Sequence, residues 1–441
     1  SGGTFEDIAG VRRLGDTVTP LRGGADGLAS DDVDLALSEL TPLLPLGGVL
    51  DGRLSGSFST TPLRVNLRAS DATLRFAEEL PPVAADGAVL FEEDVWRFDG
   101  VRVSQGEQSA LLLLSNTDGS WSGSAHSTTI NIDQTVADYA ALTQWWAGEN
   151  PSATAPDDES APAARIGAIA LSADALSWGD VTAEKFQATL TLAEDSRALS
   201  NLRFKNGDGL CTGTISLSGG TAGNLDRLDL DLVLTSIELG AIESMLGQET
   251  RDMHGLLDAR AILSIALTAD GSSVLHGMDG QVEFSVRSGT LGKAGIASKF
   301  LTALRTTDIL RLRIPSLRDK GVTFQTLSGQ LNIEAGRFAL APYHMEDTTY
   351  KLDTEAVFDF PKDTASGIVN LQILEGVTGV ARKIPLLGEA VNLLNKVFGV
   401  ELRISGTTMD PTFHARSLGP MKPLESGART LLKGTQKLVG Q

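Results

Sequence analysis

The sequence predicts a mainly β protein, built as a long antiparallel meander with a few amphipathic helices. Three observations support this fold class: apolar and polar residues alternate in many short runs, turn-forming pairs separate the runs, and glycine is abundant. The chain has 47 glycines among 441 residues, about 11% against a usual share of roughly 7%. A chain so rich in glycine, and 41% apolar, is expected to be globular and dense in turns.

The clearest strand signal is the run 228–234, in which leucine occupies every second position. Similar runs recur at the spacing of about 8 to 12 residues that is typical of sandwiches, barrels and meanders. Such alternation gives a sheet one polar and one apolar face. The residues predicted to lie on the apolar face are Leu63, Val65, Leu67, Ile215, Leu217, Leu228, Leu230, Leu232, Leu263, Ile265, Leu267, Val282, Phe284, Val286, Leu331, Ile333, Val369, Leu371, Ile373, Leu402 and Ile404.

Asp-Gly and Asn-Gly pairs are expected at hairpin turns, because both residues tolerate the positive φ that two-residue turns require. They occur at Asp51-Gly52, Asp86-Gly87, Asp99-Gly100, Asp118-Gly119, Asn206-Gly207, Asp270-Gly271 and Asp279-Gly280. These pairs predict that most connections are antiparallel hairpins.

Four segments instead show helical periodicity, near residues 133–148, 235–247, 293–306 and 377–398. The sequence Thr235-Ser236-Ile237-Glu238 has the form of a capping box that opens the second of them. We interpret each segment as an amphipathic helix that covers an end or a face of a sheet, with a membrane-surface helix as the alternative.

The composition divides the chain into four parts. Residues 1–147 form a β segment that ends in a helix, and residues 148–164, which are rich in proline and acidic side chains, predict a mobile loop. Residues 165–416 continue the strand pattern. Residues 417–441 form a basic tail, and Arg429, Lys433 and Lys437 are its candidate contacts with anionic lipid head groups, the alternative being a solvated chain end.

Charge and cysteine content exclude several functions. The formal net charge of −19 repels phosphate backbones, so no nucleic-acid partner is expected. The single cysteine, Cys211, excludes an intramolecular disulfide and a clustered-thiolate metal site. We expect its side chain to be a small buried apolar group.

The motifs of nucleotide-binding loops and of a nucleophile elbow are also missing from the sequence. Gly207-Asp208-Gly209 is followed by Thr212 where a dinucleotide loop needs its third glycine. In the segment 119–123, tryptophan stands where a nucleophile elbow needs serine. The five histidines are scattered singly. We therefore expect no enzyme activity, no catalytic residue, no cofactor and no metal site.

The residues alone leave two arrangements of the apolar faces open. Two sheets could pack face to face as a β-sandwich, or a single curled sheet could leave its apolar face lining a groove.

Several motifs in the last third of the chain resemble a known family. They are the strand opening at 275–282, the stretch 314–324, Ile384-Pro385-Leu386-Leu387-Gly388 before a predicted helix, and Ile404-Ser405-Gly406-Thr407. Together they resemble the carboxyl-terminal region of the YhdP-like branch of AsmA-like proteins, over about residues 240–416. None of these motifs is catalytic.

The resemblance implies a bridge-like lipid transfer protein of the repeating-β-groove type, with the sheet curled into a taco-like groove. It implies a periplasmic location, with an inner-membrane anchor in a region absent from this chain. The expected partners are phospholipids, the inner and outer membranes, and periplasmic or outer-membrane proteins. The apolar-face residues named above would line the groove.

The expected function is therefore non-enzymatic conduction of phospholipids between the inner and outer membranes, in support of outer-membrane lipid homeostasis. The alternative is a periplasmic β-sandwich scaffold, or an adhesin-like protein, that assists outer-membrane assembly.

Overall fold

The computed structural model describes most of the predicted strands and few of the predicted helices. The described residues are 8–14, 17–24, 27–37, 49–60, 63–75, 82–92, 95–117, 120–135, 137, 167–193, 196–219, 226–245, 253–267, 275–291, 322–373 and 398–420. The predicted loop at 148–164, the predicted helix at 293–306, nearly all of that at 377–398, and tail residues Arg429, Lys433 and Lys437 lie outside these ranges.

The chain divides into two compact units, residues 1–205 and 206–441. The first unit consists of twelve described strands. Their bounds are β1 Ile8–Leu14, β2 Thr17–Gly24, β3 Gly27–Ala36, β4 Val49–Thr60, β5 Leu63–Arg75, β6 Val83–Glu92, β7 Val95–Gln105, β8 Gln108–Thr117, β9 Ser120–Asn131, β10 Gly167–Trp178, β11 Val181–Leu192 and β12 Ser196–Asn206.

The second unit consists of ten described strands and one short helix. Their bounds are β13 Gly209–Ser218, β14 Arg227–Glu238, α1 Leu239–Met245, β15 His254–Ala266, β16 Met278–Leu291, β17 Val322–Glu334, β18 Arg337–Glu346, β19 Tyr350–Asp359, β20 Thr364–Ile373, β21 Phe398–Gly406 and β22 Pro411–Pro420. Phe398, which was predicted to be the last residue of a helix, is instead the first residue of β21.

Strands that follow each other in the chain pair side by side in both units. Within the second unit, every pairing from β13 to β22 is antiparallel, and β13 and β22 do not pair with each other among the described ladders. The predicted fold class, a mainly β and mostly antiparallel meander, is confirmed. The exception is β9 with β10, which pair in parallel in the first unit.

Bulges interrupt many of these ladders. In the first unit, register shifts occur in the ladders β4–β5, β5–β6, β6–β7 and β7–β8. In the second unit, they occur in β14–β15, β15–β16 and β17–β18. A bulge bends its strand and increases the local right-handed twist. The sheet of each unit is therefore expected to curl, as a groove requires.

The glycine pairs do not mark hairpins in most cases, which corrects the sequence interpretation. Among the described pairs, only Asn206-Gly207 lies at a turn, whereas four Asp-Gly pairs lie inside β4, β6, β7 and β16. Gly280 has a φ of +138°, and a Cβ there would lie 2.1 Å from the carbonyl oxygen of Ile262 on β15. In-strand bulges and close strand approach need glycine for the same conformational reason as turns do.

The predicted start of the helix at 235–247 is also wrong. Residues 235–238 belong to β14, and the described part of the helix is Leu239–Met245. Ser236 sits at a bulge with a φ of +53°, and its N–H donates to the Asp258 carboxylate on β15 at 2.9 Å. The residues that resemble a capping box therefore form a bulge in β14, which is hydrogen-bonded to β15.

Asn131 caps the first turn of the predicted helix near 133–148, where the structure describes helical residues at 132–135 and 137. Its side-chain oxygen accepts from the N–H of Gln134 at 3.0 Å. Asp133, the first residue of that predicted segment, accepts from the N–H of Gly179 at 2.6 Å. Its carboxylate thus fixes the turn between β10 and β11.

The division into units does not coincide with the predicted segment 148–164. The β9–β10 pairing continues the sheet of the first unit across that stretch, and the boundary falls after Lys205.

Candidate functional site

The second unit carries one continuous apolar face, which follows from the strand register. Residues that pair across strands lie on the same side of a sheet. One cross-strand row runs from Leu232 on β14 through Val282 on β16 and Leu331 on β17 to Ile404 on β21. The rows on either side of it are built in the same way. The predicted apolar-face residues of β13–β21 therefore share one side of this sheet.

The opposite face of the second unit is mostly polar, although Val233, Leu256, Ile262 and Ile368 are exposed there. Ion pairs cross it from strand to strand, including Arg260–Asp231 at 3.8 Å and Arg287–Asp258 at 2.9 Å. Such exposed pairs contribute little stability, but they keep this side hydrated.

Burial divides the apolar face into two regions. In the first, large apolar side chains are only half-buried, and we call it the open strip. It consists of Ile215, Leu217, Leu228, Leu230, Leu232, Leu263, Val282 and Leu331. The strip crosses β13–β17 and lies against no described second layer of strands.

The other region is a closed hydrophobic cluster, which we call the core cluster. Its buried members are Leu257, Val286, Val322, Phe324, Leu327, Met345, Tyr350, Leu352, Ala356, Ala365, Val369, Leu371, Leu402 and Ile404. Leu402 is completely buried. Leu239 and Ile242 of α1 pack against the cluster, so the short helix covers part of the face.

Tyr350 shows how thoroughly water is excluded from the core cluster. Its hydroxyl donates to the carbonyl oxygen of Thr323 and lies 3.8 Å from the sulfur of Met345. Burial, followed by the charge of Asp347 and the neighbouring Tyr343, raises the pKa of Tyr350. Burial alone raises the pKa of Tyr343.

The first unit repeats the two-faced arrangement, with aromatic rings among its cross-strand pairs. Val65 of β5 pairs with Phe91 of β6, which pairs with Trp96 of β7. The ring centroids of Phe91 and Trp96 are 4.7 Å apart, and Trp96 is 42% exposed. The next row places Leu67 opposite Val89.

The predicted lining residues thus lie in different environments. Val65, Leu67, Phe284 and the open strip are half-buried, whereas Ile265, Val286, Ile333, Val369, Leu371, Leu402 and Ile404 are buried. Leu63 is 51% exposed, and Leu267 follows the end of β15 and is 37% exposed. Ile373 pairs with Tyr350 at the end of β20. A lining role remains a prediction for all of them.

Sequence reasoning missed an apolar position on the polar face of the second unit. Ile262 of β15 is 48% exposed and helps to line a shallow cavity of about 280 Å³ together with Thr214, Asp231 and Ser264. The run Ala261-Ile262-Leu263, three apolar residues in succession, was the signal available.

Cys211 lies on the apolar face opposite Leu234 and is 2% exposed, which confirms that it is buried. Burial raises the pKa of its thiol to about 11. Among the described residues, His, Cys, Asp and Glu form no group of three that could hold a metal ion. The described helices include none long and apolar enough to cross a bilayer.

Comparison with known proteins finds no matching family model, no matching curated protein and no matching solved structure. The AsmA-like family resemblance therefore stays a prediction from the sequence motifs.

Proposed function

We propose that the chain is a non-enzymatic lipid-binding protein, part of a periplasmic bridge that conducts phospholipids between the inner and outer membranes. The observation that carries this proposal is the open strip: a half-buried apolar surface that crosses five strands while the other side of the same strands is mostly polar. The resemblance of the sequence to AsmA-like proteins supports the same function.

The energetics of lipid transfer explain why such a surface is useful. Exposing an acyl chain of about 16 methylenes to water costs about 13 kcal/mol, at roughly 0.8 kcal/mol for each CH₂. An apolar surface that receives the chain removes most of that cost. The polar face, with its ion pairs, keeps the other side of the sheet in water.

The chemistry of the strip also suits movement rather than fixed binding. In the described register, the apolar face of β13–β18 contains no charged residue. Contacts there are dispersive and non-directional, so an acyl chain meets no strong anchoring point. The proposed partners are phospholipids and the two membranes, together with periplasmic or outer-membrane proteins at either end.

The first test is native mass spectrometry of the purified chain, which should detect co-purified phospholipid. Leu263 and Ile262 are neighbours on β15 and point to opposite faces, so they make a matched pair. Leu263→Asp puts a carboxylate where an acyl chain would lie, which costs several kcal/mol, and should reduce lipid occupancy at least about ten-fold. Ile262→Asp, on the polar face, should leave occupancy unchanged.

A second candidate function is a structural scaffold without bound lipid, and the core cluster favours it. The side chains around Leu402 are packed as closely as those of an ordinary protein core, which leaves no space for a lipid. If the purified chain carries no phospholipid, takes up none from vesicles, and the two variants behave alike, the scaffold is the better account.

A further inference from the structure

The two regions of the apolar face belong to the same cross-strand rows. The row that holds Leu232, Val282 and Leu331 in the open strip continues to Ala356 on β19 and Ile404 on β21. The first three are half-buried, while Ala356 and Ile404 are each 4% exposed. Accessibility along one row therefore ends between β18 and β19.

The adjacent row changes in the same way. It runs from Cys211, which is buried on β13, to Leu234 and Phe284, which are half-buried, and continues through Thr354 to Val369 and Leu402. The last three are at most 8% exposed.

These two rows thus become closed at β19, whereas the row of Val286, Leu327 and Met345 is already buried on β16–β18. In the row of Ile333, Phe358 on β19 is still half-buried.

Side-chain packing closes the region beyond the transition. Tyr350, at the start of β19, is held by its hydrogen bond to the Thr323 carbonyl, and its ring is 2% exposed. Leu352, Leu371 and Leu402 lie on successive strands, each at most 3% exposed. Protein interiors packed in this way leave no channel as wide as an acyl chain.

We propose that acyl chains move only along the open strip and stop at the core cluster, so that these two rows are closed to lipid over β19–β21. This inference rests on the proposed lipid-binding function. An acyl chain that lies along these two rows on β13–β17 would have to leave from the strip itself and could not slide along them past β18.

The test is photolabelling of the wild-type full chain with a phosphatidylethanolamine that carries a diazirine in the middle of one acyl chain. After exchange into the protein and irradiation, adducts are located by peptide mass spectrometry. We expect adducts in β13–β17 to exceed those in β20 and β21 at least about ten-fold, the ratio for a difference of about 1.4 kcal/mol in affinity.

Each other outcome is decisive. Adducts on β20 or β21 at a frequency similar to that on β13–β17 would overturn the inference. So would adducts confined to the first unit, although lipid binding itself would then stand. An absence of adducts together with an absence of co-purified lipid would reject the proposed function, and the inference with it.

Leu402→Ala provides a second, independent measurement. The variant opens a cavity in the core cluster without touching the open strip. At a temperature where circular dichroism shows the variant to be folded, its lipid content should equal that of the wild type. A clear loss of lipid would place acyl chains against β21 and contradict the proposal.

Discussion

The open strip and the core cluster of the second unit have the same sequence pattern and different burial. Leu230 and Leu232 alternate with aspartates on β14, and Leu402 and Ile404 alternate with polar residues on β21. The first pair is half-buried, whereas the second is at most 4% exposed. Alternation therefore specifies which face is apolar, and tertiary packing decides whether that face becomes core or stays accessible.

The largest expected difference between the two regions is in stability. Leu402→Ala should lower the free energy of unfolding by about 2–5 kcal/mol, because it removes a fully buried side chain and leaves a cavity. Leu230→Ala should cost only about 1 kcal/mol, since its side chain is already partly in water. Urea unfolding of both variants measures the difference. Equal losses would show that the strip is packed as tightly as the cluster.

Thiol reactivity tests the apolar face on β13 next to the open strip, where Cys211 is buried. With a pKa of about 11 instead of 9.0, the thiolate fraction at pH 8 is about 100-fold lower than in the unfolded chain. Reaction with a chromogenic disulfide reagent should be slower by at least that factor in the folded protein. A folded-state rate close to that in denaturant would mean that the face is open at Cys211 as well.

The smallest expected effect is an alkaline loss of stability in the core cluster. The pKa of Tyr350 is raised above its unfolded value of 10.0, so its contribution is complete below pH 10 and declines as the pH rises above 10 towards the folded-state pKa. Thermal unfolding should show the wild type losing stability above pH 10. Tyr350→Phe should lose less over that range, although at neutral pH it lacks the hydrogen bond, worth about 1 kcal/mol.

Much of the fold was predictable because strand alternation is a local property. The apolar residues of β14 and β16 were assigned to one face correctly, since a period of two needs no knowledge of neighbouring strands. The Asp-Gly pairs were misassigned because the same positive φ serves turns and in-strand bulges. Gly87 and Gly100 lie inside β6 and β7, where only the register of the partner strand reveals the bulge.

The sequence predicted that the residues of the candidate site are apolar, but not which of them are accessible. Val369 and Leu263 look alike in sequence, and both were assigned to the groove lining. Val369 is 3% exposed within the core cluster, while Leu263 is half-buried in the open strip. Burial depends on what packs against a face, which is a long-range property that alternation does not encode.

The parallel pairing of β9 with β10 has a consequence for the order in which the first unit folds. A hairpin can form as soon as its two strands exist, whereas this ladder must bring Ser122 beside Ala168 across a long connection, with a larger entropic cost of closure. Contacts distant in sequence form slowly. During synthesis, β1–β9 can be complete before β10 joins them, so this junction is where folding of the first unit should pause.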